Sequence, residues 1–172
     1  MKTRLFCCLF ISLLAVVALD LTVNSQTRRG RKPQRGTVCF DPTVPCKTTA
    51  NFEAYDLPFR IPANAVIWES EPFYAVILTS VRFKDEDCYT KFIPEAQRLE
   101  AQSLFPNRKV FASRCADAGS IYYSNTGPNT NFMAVYGGRT QAEAARMLST
   151  VRATGKFPGA NIRRMFIGFN GT

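Results

Sequence analysis

Histidine is absent from the 172 residues of this sequence, and its absence removes most kinds of catalytic site. A Ser-His-Asp triad and a Cys-His pair both need an imidazole as the base that activates the nucleophile. The acidic residues Asp85, Glu86 and Asp87 stand beside Lys84, a pattern typical of a solvated helix start rather than of catalytic carboxylates. We therefore predict that the protein is not an enzyme and needs no cofactor.

Cysteine pairs of the Cys-x-x-Cys type are also missing, so with no histidine present a metal site is not expected. Four of the six cysteines follow the first 25 residues. In an exported chain they indicate two disulfides, with three possible connectivities. The two prolines between the first and second of them favour a short bridged loop there, which leaves the other two as a pair. The favoured pairs are Cys39–Cys46 and Cys88–Cys115.

The amino-terminal residues have the pattern of a secretory signal peptide. A basic start precedes an apolar run over residues 5–19, and Val23 and Ser25 fit positions −3 and −1 of a cleavage site. The run is too short for a stable membrane span. We predict that residues 1–25 are a signal peptide and that the protein is secreted or periplasmic, with retention as a membrane anchor as the alternative.

Acidic residues are few compared with basic ones, 13 against 22, which gives a formal charge of +9. In an exported chain this excess favours an anionic envelope polymer as the partner, and export argues against nucleic acid. Residues 26–38 are basic without apolar periodicity, which predicts a disordered linker. Residues 39–71 combine prolines with aromatic side chains, which predicts an extension with little regular structure that packs on the domain.

The clearest local pattern is a strand that runs through glycines into a helix. Residues 132–136 are apolar and end at Gly137, the composition of a buried strand at a tight turn. Thr140 and Glu143 have the spacing of a capping box, and an apolar stripe of helical period follows. Gly155 then predicts the end of this helix, because glycine adopts a left-handed conformation at low cost.

A second strand is predicted over residues 73–80, which are apolar on both alternating faces and so should be covered on both sides. A second helix is predicted to begin at Pro94, with Phe92, Ala96, Leu99 and Ser103 on one side of it. Residues 116–131 are rich in Gly, Ser, Asn and Thr and predict a long loop. The remaining predicted strands cover residues 109–114 and 162–169.

The predicted order of elements is therefore βαββαβ. Two halves of this kind form a single four-stranded antiparallel sheet with both helices on one face, the split-βαβ (ferredoxin-like) arrangement. The sequence thus predicts an α+β fold for residues 72–172, preceded by the signal peptide and the basic, proline-rich extension.

Two stretches resemble the SPOR (sporulation-related repeat) family. The sequence FYAVILTS resembles the opening strand of that domain, and FMAVYGGRTQAEAARMLSTVRATGKFPGANIRR resembles its second half. The resemblance implies a non-catalytic module of the bacterial cell envelope, commonly involved in cell division, that binds peptidoglycan glycan strands stripped of their stem peptides. SPOR-like domains bind these strands through the sheet face opposite the helices.

Sugar recognition uses aromatic faces against ring C–H groups, and amide or guanidinium donors against hydroxyls. Side chains of these kinds near the predicted sheet are the candidate glycan ligands. The alternative function is an envelope protein–protein interaction module that uses its apolar sheet face. The candidate glycan-binding residues are Tyr74, Arg114, Tyr122, Tyr123, Asn131 and Arg163.

Overall fold

A computed structural model describes residues 32–39, 52–115 and 121–171. The described chain forms nine strands, two α-helices and a short 3-10 helix at Asp85–Tyr89. The helices are α1 (Glu95–Leu104) and α2 (Gln141–Ala153). The strands are β1 (Gln34–Val38), β2 (Phe59–Arg60), β3 (Ile67–Ser70), β4 (Phe73–Arg82), β5 (Val110–Ala112), β6 (Ile121–Tyr123), β7 (Thr130–Gly138), β8 (Asn161–Met165) and β9 (Ile167–Asn170).

Strand β4 lies inside a four-stranded antiparallel sheet of order β5-β7-β4-β8. Side chains alternate between the faces of a strand, and Val76 and Leu78 point to the side that the helices cover. Both helices pack there, through Ala101 of α1 and Val151 of α2. Burial of these apolar side chains holds the helices to the sheet.

The remaining strands form a five-stranded mixed sheet of order β2-β1-β3-β9-β6. Strands β1 and β3 run parallel, and the other neighbouring pairs are antiparallel. This sheet packs on the face of the four-stranded sheet opposite the helices. The shared core includes Phe73 and Phe111 from one sheet and Phe59, Trp68 and Ile167 from the other, all fully buried.

The predicted fold class is therefore wrong, because a second sheet accompanies the four-stranded sheet and the helices. Part of the predicted linker and extension forms β1, β2 and β3, and part of the predicted loop forms β6. The physical reason is that β1, β2 and β6 have only two to five residues each and form their hydrogen bonds with strands far away in the sequence. Segments this short carry no periodicity of their own.

The predicted final strand is also divided, because the chain changes sheets at Phe166 between β8 and β9. Hydroxyl groups stabilise this crossing. The Phe166 N–H donates to Ser124 Oγ at 2.7 Å, and the Ile167 N–H donates to Ser70 Oγ at 3.0 Å. These bonds satisfy backbone donors at a point where neither ladder continues.

The predicted strand–helix unit is present in β7 and α2. The Glu143 N–H donates to Thr140 Oγ1 at 3.3 Å, while Glu143 Oε2 accepts from the Thr140 N–H at 2.9 Å, so the capping box is confirmed. Gly138 has a φ of 121° at the turn, and Gly155 has a φ of 68° after the helix. Both conformations favour glycine.

The inner side of α1 differs from the prediction. Arg98 and Ala101 are buried, whereas Leu99 is 54% exposed. Burial of Arg98 is possible because its donors are satisfied: Nη1 donates to the Val110 carbonyl at 2.9 Å, and Nε and Nη2 donate to the Glu95 carboxylate. This hydrogen bonding to Arg98 lowers the pKa of Glu95.

The predicted disulfide Cys88–Cys115 is confirmed, with the two Cα atoms 5.8 Å apart. It ties the 3-10 helix to the chain that follows β5. Cys39 takes part in a disulfide bond, and Cys46 lies outside the described residues. The predicted signal peptide also lies outside them.

Candidate functional site

A depression of about 340 Å³ lies at one end of the sandwich, where the connection between β6 and β7 passes from one sheet to the other. We refer to it as the mouth depression. Its floor is apolar and is formed by Ile77 and Phe132, which belong to the core between the sheets. Its rim is polar. The lining residues are Ile77, Ser80, Asn125, Thr126, Gly127, Thr130, Phe132, Asn161 and Arg163.

Local hydrogen bonds fix the rim on the side of the β6–β7 connection. Asn125 adopts a φ of 56°, which asparagine tolerates better than most residues, and its Nδ2 donates to the Arg164 carbonyl at 2.9 Å. Thr126 Oγ1 donates to the Tyr123 carbonyl at 3.1 Å. The Asn125 side chain thereby joins the connection to β8, and the rim is held in place before any ligand binds.

The opposite side of the rim is formed by exposed residues of β8. Arg163 Nε donates to Asn161 Oδ1 at 3.2 Å, and Asn161 Nδ2 donates to the Gly159 carbonyl at 3.2 Å. Within the described chain, no carboxylate lies within 4.0 Å of the Arg163 guanidinium, and its terminal amino groups make no hydrogen bond. Arg163 therefore offers a positive, hydrogen-bonding group at the rim.

A second depression of about 410 Å³ adjoins the mouth depression. The two share Ile77, Ser80 and Asn161, so they meet where β8 begins beside β4. The second depression is also lined by Lys156, which forms an ion pair of 2.9 Å with Glu100, and by Phe157. Together they form a polar path with aromatic contacts around the start of β8.

Tyr122 is the other exposed candidate, on the outer face of the five-stranded sheet. It pairs across the strands with Gly168, and the end of its ring lies against that glycine. Burial raises the pKa of the Tyr122 hydroxyl, and the neighbouring Glu69 carboxylate, which accepts a hydrogen bond from it, adds to the rise. The side chain is 38% exposed and can contact a ligand, although it does not line the mouth depression.

Two of the other predicted site residues, Arg114 and Tyr123, contact aromatic rings. Arg114 lies between two aromatic rings, 4.0 Å from the Tyr55 centroid and 4.6 Å from that of Phe92. Tyr123 stacks on Phe111 with ring centroids 5.4 Å apart, and burial raises its pKa well above the ordinary value.

Asn131 is 2% exposed and donates from Nδ2 to the Lys91 carbonyl at 2.8 Å. Tyr74 is half-buried in β4 and lines neither the mouth depression nor its neighbour. Arg114, Tyr122, Tyr123 and Asn131 do surround a smaller depression of about 200 Å³. Among the predicted site residues, Arg163 alone lines the mouth depression.

Sequence reasoning missed the amide and hydroxyl groups of the rim. Asn125 and Thr126 fall in the Gly, Ser, Asn and Thr-rich segment that predicts a loop, and loops of this kind often carry binding groups. Ser80 and Asn161 fall at the ends of predicted strands, where nothing in the sequence marks them. The available signal was the loop composition around Asn125.

Groups that support metal or carboxylate chemistry are not gathered in the described part of the chain. No cluster of three or more metal-binding side chains occurs in it. Asp87, from the acidic run, forms an ion pair of 2.8 Å with Lys91. Burial raises the pKa of Asp56 to about 6, but Asp56 lines none of the depressions described above.

No helix in the described ranges is long and apolar enough to cross a membrane. Comparison of the chain with protein-family models, with curated proteins and with solved structures finds no match.

Proposed function

We propose that the protein is an exported, non-catalytic binding module and that its ligand is a peptidoglycan glycan strand of the bacterial cell envelope. The signal-peptide pattern and the SPOR resemblance support this proposal. The Cys88–Cys115 disulfide is compatible with it, because disulfides persist in oxidising compartments outside the cytosol.

The observation that carries the proposal is the mouth depression. Its floor offers a small apolar area to the C–H groups of a sugar ring, since Ile77 is 9% and Phe132 2% exposed. Its rim has two asparagine amides, hydroxyls and one guanidinium, which can donate to and accept from sugar hydroxyls. An apolar floor with a polar rim is the combination that a pyranose needs.

The proposed site differs from the surface that the SPOR resemblance implies. The sheet face opposite the helices packs against Phe59, Trp68 and Ile167 of the five-stranded sheet. A glycan could reach the covered part of that face only by separating the two sheets, and the same packing covers most of the apolar surface that the alternative function would use. We therefore propose that binding occurs at the end of the sandwich, where polar groups are accessible.

The neighbouring depression supports a chain of sugars rather than a single one. It shares Ser80 and Asn161 with the mouth depression and adds the ring of Phe157 beyond them. A strand seated in the mouth depression can continue past Asn161 into this second depression, and each additional sugar would add contacts.

Sedimentation with purified peptidoglycan sacculi tests the proposal. Residues 26–172 should be retained by sacculi treated with an amidase, and retention should fall severalfold in Asn125→Gly, which removes the rim amide and keeps a residue that tolerates the positive φ. Asn64→Gly is the matched control, because Asn64 is exposed, has a φ of 59° and lies outside both depressions. Equal and negligible retention on treated and untreated sacculi would overturn the proposal.

A further inference from the structure

The charge of the mouth depression is positive only. None of the described residues that line it is acidic, and Arg163 is the one charged side chain among them. No carboxylate of the described chain lies within 4.0 Å of this guanidinium. Two other arginines of the described chain form ion pairs, Arg98 with Glu95 and Arg139 with Glu71. Arg163 is therefore a cation at the rim of the depression whose counter-charge is not supplied by a carboxylate of the described chain.

A hydrogen bond to Asn161, in the same strand, also orients the Arg163 side chain. Asn161 Oδ1 accepts from Nε at 3.2 Å, and the Asn161 amide is itself anchored through Nδ2 to the Gly159 carbonyl. With Nε engaged in this way, the two terminal amino groups remain as donors. Two parallel N–H groups on a planar guanidinium match the two oxygens of a carboxylate better than they match a single hydroxyl.

We propose that Arg163 recognises a carboxylate on the glycan, so that the mouth depression selects an acidic sugar over a neutral one. This inference rests on the proposed function and specifies its ligand. The sugar ring would lie on Phe132 and Ile77, and its carboxylate would pair with the terminal amino groups of Arg163. A muramic acid residue carries a free carboxylate only where its stem peptide is absent, so this contact would account for the preference for stripped strands that the SPOR resemblance implies.

The test compares stripped glycan strands with the same strands after carbodiimide activation and reduction of their carboxylates to alcohols. Fluorescence anisotropy with end-labelled strands measures the affinity of residues 26–172. The unmodified protein should bind the native strands about tenfold more tightly than the reduced ones, the effect expected of a partly exposed charge-assisted pair. Arg163→Gln should bind native and reduced strands equally, with the weaker affinity that the unmodified protein has for reduced strands. Arg163→Lys should recover only part of the preference for native strands.

Arg164→Gln is the matched control. Arg164 is the next residue of β8, is also exposed and lines neither depression, so its loss changes the net charge equally. It should keep the preference for native strands, whereas loss of preference in both variants would indicate attraction by net charge and overturn the inference. Thermal unfolding of each variant identifies any failure to fold.

The outcomes separate the inference from the proposed function. Equal, tight binding of the unmodified protein to native and reduced strands would overturn carboxylate recognition and leave glycan binding in place. Absence of binding to either strand would overturn both. A lower affinity for native strands in Arg163→Gln, with affinity for reduced strands unchanged, would support both.

Discussion

The ring of Tyr122 occupies the space that a side chain at Gly168 would need. The two residues are partners across β6 and β9, and a Cβ on Gly168 would overlap the hydroxyl end of the ring. Glycine is otherwise a poor choice inside a strand, because it loses more backbone freedom on folding than other residues. We interpret the pair as a unit in which the tyrosine covers the glycine backbone.

This relationship predicts that Gly168→Ala is harmful only while Tyr122 is present. Alone, it should lower the free energy of unfolding by about 1–2 kcal/mol, because the methyl group displaces the ring. In a Tyr122→Ala background, it should be neutral or stabilise by up to about 0.5 kcal/mol. Urea unfolding of the four variants gives the coupling directly, and equal costs in the two backgrounds would contradict the interpretation.

Replacing both cysteines of the Cys88–Cys115 bridge with serine should destabilise the domain. The bridge spans 27 residues, and a loop of this size stabilises by about 3 kcal/mol in the chain-entropy model. Urea unfolding of the double variant measures the loss. The double variant is preferred to chemical reduction, since a reductant would also act on the disulfide of Cys39. A loss below about 1 kcal/mol would show that the constraint is already present in the unfolded chain.

Thr140→Ala should cost about 1 kcal/mol, because it removes the oxygen that accepts from the Glu143 N–H at the start of α2. Thr150→Ala is the control on the same helix. Thr150 is exposed, and its hydroxyl donates only to the Arg146 carbonyl, so alanine there should be neutral or slightly favourable. Thermal unfolding of both variants tests the difference, and similar losses would argue against the capping box as the source.

Asp56 should make the stability of the protein depend on pH. Burial raises the pKa of its carboxyl to about 6 in the folded state; the hydrogen bond from the Glu53 N–H and the charges of Lys109 and Arg114 oppose the rise, and the Glu53 charge adds to it. The protonated form therefore favours folding, and its contribution is present in full below about pH 4 and is lost as the pH rises through 6. Ionisation of the buried group should cost about 1–2 kcal/mol, a value discounted for partial exposure.

Asp56→Asn tests this dependence, because the amide keeps the shape and an oxygen that can accept from the Glu53 N–H. The variant should gain stability relative to the unmodified protein between pH 4 and pH 7. Carboxylates with lowered pKa values, such as Glu95, contribute equally to the pH dependence of stability in both proteins, so their contributions cancel in the difference. A difference that does not change with pH would contradict the assignment to Asp56.

The parts of the fold that sequence predicted are those with strong local signals. The β7–α2 unit is marked by glycines, a capping box and an apolar stripe within 25 residues, and the structure has each of them. The Cys88–Cys115 pair follows from the count and spacing of cysteines. In the β7–α2 unit the residues that determine the structure lie close together in the sequence.

The second sheet as a whole was not predicted, because most of its strands depend on distant partners. Strand β2 has two residues, and β1 pairs in parallel with β3 more than 30 residues away. The change of sheet at Phe166 depends on hydroxyls from Ser70 and Ser124, which nothing in the local sequence connects to it.

The candidate site was missed for a related reason. Its rim assembles from the β6–β7 connection, the end of β4 and the start of β8, so composition alone identified Arg163 but not Asn161 beside it. On α1, apolar periodicity selected Leu99 over Arg98. Periodicity cannot show that an arginine has all of its donors satisfied in the interior.

The crossing at Phe166 has a consequence for how the molecule comes apart. A single residue joins β8, an edge strand of the four-stranded sheet, to β9, an inner strand of the five-stranded sheet. Separation of either sheet would therefore disrupt the strand pairing of the other. Heat or denaturant should therefore unfold both sheets in one cooperative transition. A pulling force applied at β9 should likewise be shared between them.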